Sequence, residues 1–185
     1  MRKNFGVKSW FYPQPVLIIA TYDENSSPDA MNAAWGGLYD GNKVELCLSA
    51  GHKTTKNIRA TGAFTVSFAD AANLVASDYV GLASANTEPK KMEKSGFHLT
   101  KSQFVNAPLI DELPVAMECK LVKINEDGNV IGEIVNVSAD ESVLGEDGNI
   151  DFSKFHPISF EPVHNGYHVL GQRVGNAFQD GAALK

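Results

Sequence analysis

Leu48-Ser49-Ala50-Gly51-His52-Lys53-Thr54-Thr55-Lys56-Asn57 concentrates the residue types that bind an anion. A strand ends, small residues let the backbone turn closely, and a helix begins. A helix start offers unpaired N–H groups and a partial positive charge. Ser49, Thr54 and Thr55 add hydroxyl donors, and Lys53 and Lys56 add charge. A phosphate monoester suits such a loop. The same pattern also describes an ordinary capped surface helix with solvated lysines.

Two other stretches carry chemical potential. Met31-Asn32-Ala33-Ala34-Trp35-Gly36-Gly37 places small residues in a strand, where a flat ligand or another backbone can come close. Asn32 offers donor and acceptor together, as recognition of a heteroaromatic edge requires. The alternative is a barrel strand whose small residues fit the interior. Tyr167 to Gly181 mixes aromatic and small residues, which reads as a packed tail that folds over a ligand, a partner subunit or its own domain.

Other constellations are missing. There is no Gly-x-Gly-x-x-Gly, no Gly-x-x-x-x-Gly-Lys-[Ser/Thr] and no Gly-x-Ser-x-Gly. His164 and His168 are separated by Asn165-Gly166, which opposes a shared helical face, so no metal site is expected. No acid–base dyad or nucleophile stands out, and no catalytic side chain is assigned.

The elements that position these residues read as a meander. Val16 to Thr21 is a buried strand, Asp23 to Asp29 a turn cluster, Ala30 to Trp35 a strand, Asp40-Gly41-Asn42 a turn, and Lys43 to Ser49 a strand. Such short turns exclude parallel crossovers. A helix capped by Thr54 or Thr55 ends at Gly62, and Phe64 to Phe68 returns to strand. Asp70 to Ser95 reads as short helices, the last running from Pro89 to Ser95 and stopped by Gly96. Val115 to Ile124 is a strand with Glu118 and Lys120 on one face, joined by the turn Asn125 to Asn129 to a return strand at Val130 to Ser138. The expectation is an antiparallel barrel with small helices, one domain over residues 1–185.

Composition bounds the function. The 185 residues include 16 Lys+Arg and 22 Asp+Glu, for a formal net charge of -6. That argues against nucleic-acid binding, which needs a basic field. Val16 to Ala20 is too short for a membrane span or signal core, so no membrane partner is expected and the reducing cytosol is the default compartment. Cys47 and Cys119, each in an apolar stretch, read as two buried thiols.

Taken together, Pro15 to Thr21, Asn32-Ala33-Ala34-Trp35, Leu48-Ser49 leading into Lys53-Thr54-Thr55-Lys56-Asn57-Ile58, and Thr61-Gly62-Ala63-Phe64 resemble the flavin reductase-like family of FMN-binding split barrels. The ending, Tyr167-His168-Val169-Leu170-Gly171 with Gly175-Asn176-Ala177-Phe178 and Asp180-Gly181, is similar to the flavoredoxin branch. The resemblance spans Pro13 to Gly181. It implies a mainly-β fold, an antiparallel split β-barrel of Greek-key type with small helical insertions, in a homodimer with FMN near the interface. Asn32, Ala33, Ala34 and Trp35 would border the isoalloxazine; Ser49, Ala50, Gly51, Lys53, Thr54 and Asn57 would hold the phosphate. Ser84 and Lys91 match positions that approach the flavin, with Lys90 the alternative to Lys91, and Tyr167 and the tail around Phe178 would close the site. The implied activity is electron passage between NAD(P)H, bound transiently, and flavin. The rivals are an electron carrier with tightly held FMN and a protein redox partner, and a non-enzymatic ligand-binding barrel.

Overall fold

Val16–Ala20 is buried at every residue, with no alternation. A strand covered on both faces looks like this. In the computed structural model, which describes residues 1–185, the run falls mostly in β2 (Leu17–Tyr22), preceded by the short β1 (Gln14–Pro15). β2 reverses at Asp23, whose carboxylate accepts the N–H groups of Asn25 and Ser27, each at 2.9 Å. The chain continues through β3 (Pro28–Ala33), β4 (Gly36–Asp40), β5 (Lys43–Leu46), α1 (Lys53–Thr61), β6 (Ala63–Phe68), α2 (Leu74–Leu82) and α3 (Lys91–Ser95). Then come β7 (Leu99–Lys101), β8 (Pro108–Ile110), β9 (Val115–Ile124), β10 (Val130–Ala139), β11 (Ile158–Glu161) and β12 (Gly166–Val169).

Seven strands make one sheet in the order β3-β2-β6-β9-β10-β5-β4, and every pairing in it is antiparallel. Its two edges, β3 and β4, are consecutive in sequence and joined only by Ala34 and Trp35. Such a link reaches about 11 Å, so the sheet must curl until its edges face one another. The result is the expected mainly-β split barrel, open along a β3/β4 seam that carries Trp35. Leu17, Ile19, Val44, Leu46, Ile58, Phe64 and Val66 fill the interior. On the outer face of β2, Val16, Ile18 and Ala20 pack with Val80 of α2, Phe97, Ile110 and Ile158. β2 is therefore shared by two cores, which explains its unbroken apolar run.

Gly62 and Gly96 end α1 and α3 in the left-handed region, at φ 68° and 75°, as their positions after the helical runs predict. Several expectations need correction. The N-cap of α1 is His52 rather than Thr54 or Thr55; both threonines are turned into the protein and buried. Cys47 is exposed, whereas Cys119 is buried. The strand alternates, with Val44, Leu46 and Leu48 inward, so Cys47 falls on the outer side. Its thiol is nonetheless pushed up by partial burial and the Glu45 charge. Glu118 and Lys120 share a face, but Ser102 and its loop cover Glu118, which is 1% exposed. The tail beyond Gly171 is exposed throughout rather than buried against its own chain. No helix is long and apolar enough to cross a membrane.

Candidate functional site

Beneath α1 lies a polar network inside the fold. Asp29, on β3, spends one carboxylate oxygen on the Thr54 hydroxyl at 2.6 Å and the other on the Lys91 amine at 3.1 Å. Asp29 and Lys91 are 2% and 3% exposed. Beside them the Asn57 amide donates to the Thr21 hydroxyl at 3.0 Å. Asp29 thus fastens the first turn of α1 and the start of α3 to one strand.

The outward side of the same helix start is open. α1 has no side-chain cap and no acidic residue in its first turn, so its first N–H groups have no acceptor from a capping side chain. Ser49, Ala50 and Gly51 form an exposed rim. A second loop meets it: the Asn86 amide donates to the Gly51 carbonyl at 3.1 Å, and Lys56 donates to Asn86 at 3.3 Å. Ser84 lies in that loop, its hydroxyl accepting from Asn86. Lys53 is held by Asp23 at 3.1 Å with 31% of its side chain exposed. This donor set, with backbone N–H groups, hydroxyls and two lysines, has the chemistry of an anion cradle and fits a phosphate.

Further along β3, Asn32 turns toward α2. Its amide donates to the Ser77 carbonyl at 3.0 Å, and a Cβ at Gly81 would lie 2.9 Å from Asn32 Cβ, so the helix can approach only because residue 81 is glycine. Tyr167, on β12, donates to Asp78 of α2 at 2.7 Å. Burial, then the Asp78 hydrogen bond and charge, push its phenol up to about 12, with Asn32 opposing. Asn32 and Tyr167 therefore meet against α2. Ala33 and Ala34 are half-buried and Trp35 is exposed at the seam.

An open groove of about 420 Å³ runs beside the seam, lined by Ala34, Trp35, Gly36, Glu45 and Cys47 with Phe11 of the N-terminal segment. It contains no residue of the Ser49–Asn57 stretch. The Cys47 N–H nevertheless donates to the Trp35 carbonyl at 2.8 Å, so the seam and the loop that begins at Ser49 adjoin.

The sequence-predicted residues thus separate into three neighbouring groups. Ser49, Ala50, Gly51, Lys53 and Ser84 rim the cradle; Thr54, Asn57 and Lys91 lie beneath it with their side chains bonded inward. Asn32 and Tyr167 lie together against α2, and Ala33, Ala34 and Trp35 run to the seam. Sequence reasoning missed Asp29, Asp78 and Asn86. Asp29 reads as the last residue of a turn cluster, and the one signal against that is an acid just where the apolar strand begins. Asp78 and Asn86 carry no local signal, because their partners are 89 and 35 residues away.

Comparison with known proteins bears on this arrangement. Residues 9–159 match the family described as the flavin reductase-like domain. The structure is similar to the flavoredoxin of Desulfovibrio vulgaris (Miyazaki F), with TM-score 0.93 and 35% identity over 98% of this chain and 100% of that chain. It is also similar to the flavoredoxin from Methanosarcina acetivorans, with TM-score 0.90 and 25% identity over 100% of both chains. An uncharacterised protein of Aquifex aeolicus (strain VF5) is 34% identical over 74 residues, which are 38% of each protein. The matched regions span less than half the length of the curated relatives. A family match over most of the chain, on a split barrel, establishes that this chain belongs to the flavin reductase-like domain family.

Proposed function

We propose that this chain binds FMN and acts as an oxidoreductase, with NAD(P)H as a transient electron donor. One observation carries the reading: the uncapped, acid-free start of α1, flanked by Lys53 and Lys56 and faced by the Ser84–Asn86 loop. The first-turn N–H groups, Ser49 and Lys53 would hold the phosphate, with Ser84 on the opposite wall. Thr54 and Asn57 support the helix from inside, with their side chains turned away from that phosphate. Ala33 and Ala34 leave room for a flat ring, and the exposed Trp35 ring would cover its edge. Tyr167 stays protonated at neutral pH and holds the β12 hairpin against α2. The bound flavin supplies the hydride and electron chemistry, which accounts for a site without an acid–base dyad.

A second reading is an electron carrier that keeps FMN tightly and exchanges electrons with a protein partner. The full-length similarity to two flavoredoxins favours it. Under either reading we propose a homodimer. Edge strand β4 exposes Leu38 and Tyr39, and the tail exposes Val174 and Phe178; an apolar edge of this kind invites a second chain. The two unpaired cysteines suit a reducing compartment such as the cytosol.

The visible absorption spectrum of the purified protein, with FMN added if it is colourless, tests the reading. Flavin bands that bleach anaerobically with NADH or NADPH support the reductase. Bands that persist support the carrier. Failure of FMN to bind or to raise the melting temperature leaves a barrel for some other ligand.

A further inference from the structure

Asp29 belongs to neither the rim of the cradle nor the seam, yet both walls of the cradle hang from it. One wall is the Ser49–Lys53 loop with the first turn of α1, tied to Asp29 through Thr54 at 2.6 Å. The other is the Ser84–Lys90 segment. It is tied at one end through Asn86 to Gly51 and at the other through Lys91 to Asp29 at 3.1 Å. Asp29 is 2% exposed, and each carboxylate oxygen has a side-chain donor. A buried ion pair adds little net stability over a well-packed apolar pair, because both charges must leave water. What this pair supplies is a fixed geometry between three elements that are far apart in sequence.

We propose that Asp29 is a positioning residue for phosphate recognition: it sets the spacing between the start of α1 and the Ser84–Lys90 segment, and so preorganises the site for FMN over the phosphate-free riboflavin. The proposal rests on the FMN reading of the site. It makes a prediction whose sign is diagnostic. By charge alone, a carboxylate near a phosphate repels it, and neutralising that carboxylate would tighten FMN binding. As a positioning residue, Asp29 has the opposite effect. Asp29→Asn keeps the shape, weakens the link to Thr54 and leaves Lys91 without its counter-charge, so the two walls lose their register.

The test measures FMN and riboflavin dissociation constants by flavin fluorescence for the full chain and its Asp29→Asn variant. Amide hydrogen exchange is measured on both without flavin. The expected result is FMN binding weakened about tenfold, riboflavin binding changed less than about twofold, and faster exchange confined to residues 49–56 and 84–91. The β9–β10 hairpin serves as the unchanged reference. Lys91→Met combined with Asp29→Asn removes both charges, and the stability lost in the single variants should be partly regained. Tighter FMN binding in Asp29→Asn, equal weakening of FMN and riboflavin, or unchanged exchange in the two walls would overturn the proposal. A wild-type chain that binds neither flavin defeats the FMN reading itself, and the wild-type titration distinguishes that failure from the others.

Discussion

The polar ground under α1 and the seam beside Trp35 lie at opposite ends of one strand and are built by opposite means. Under α1, Thr21, Asp29, Thr54, Asn57 and Lys91 are all 3% exposed or less, and their side chains bond one another. At the seam, Trp35, Leu38 and Tyr39 are 61, 75 and 47% exposed. These five side chains are bonded within a single chain, as buried polar groups usually are, while the neighbouring buried Thr55 hydroxyl of α1 has no partner. The seam offers apolar surface to something outside the chain. The contrast suits a site with two tasks. An anion is held best by donors that cannot move, whereas a flat ring and a partner surface are accommodated by an edge that is still open.

The largest expected effect comes from breaking the buried network. Lys91→Met leaves Asp29 buried with only Thr54 as a side-chain donor, and should lower the unfolding free energy by about 3 kcal/mol. In the monomeric chain Leu38→Ser at the seam should cost less than ~0.5 kcal/mol, and in the proposed homodimer its effect should instead be weaker association of the two chains. Urea denaturation of the two variants checks this. Equal losses would mean that the two regions do not differ as their burial suggests. Next in size, Lys53→Ala should weaken FMN binding by roughly one to two orders of magnitude, as the loss of a charge-assisted hydrogen bond to phosphate implies. An unchanged flavin titration would remove Lys53 from the phosphate site.

Gly36 sharpens the comparison from the other side, because it is the one tight position at the seam. A Cβ there would lie 2.8 Å from Leu46 Cδ2, 3.0 Å from the Glu45 carbonyl oxygen and 3.1 Å from Leu17 Cδ1. The carbonyl is backbone in a paired strand and cannot swing aside. Gly36→Ala should therefore cost ~1–3 kcal/mol by overpacking, read as a lower melting temperature, while Gly37→Ala, with open space around it, changes little.

Much of the frame was legible because its signals are local. The five-residue apolar run at Val16–Ala20, the Asn125–Asn129 reversal and the glycines after α1 and α3 each act within a few residues. The Ser49–Asn57 loop stood out as a candidate for the same reason, since its glycine, hydroxyls and lysines are contiguous. The network beneath it was not, because Asp29 meets Thr54 and Lys91 across 25 and 62 residues. That distant partner also explains the misplaced cap: Thr54 has the right chemistry to cap a helix but is drawn inward by a buried carboxylate. Cys47 was misread by composition although the alternation Val44, Leu46, Leu48 already points it outward. The aromatic tail suggested packing, but composition cannot say whether the surface it would cover belongs to the same chain.

The smallest effect belongs to Asp23, and it distinguishes two kinds of carboxylate near the cradle. Asp23 accepts the Ser27 and Asn25 N–H groups and the Lys53 amine. The Ser27 N–H lowers its pKa most, burial opposes, and Lys53 adds to the lowering, so the carboxyl sits below its ordinary range. A carboxyl whose pKa falls on folding stabilises the protein above its unfolded value of about 3.9, and that contribution disappears as the pH drops through the lower folded value. Wild type should exceed Asp23→Asn in unfolding free energy at pH 7 by less than ~1 kcal/mol, as partly exposed pairs do, and the gap should close below about pH 4. FMN binding should move the other way. If Lys53 holds the phosphate as proposed, Asp23 would compete with it for that lysine, and Asp23→Asn should tighten FMN by roughly two- to fivefold at pH 7. The same substitution at Asp29, six residues along, should loosen it. Opposite signs would separate a carboxylate that competes for a ligand-binding lysine from one that holds the walls of the site; matching signs would mean that both act only through their charge.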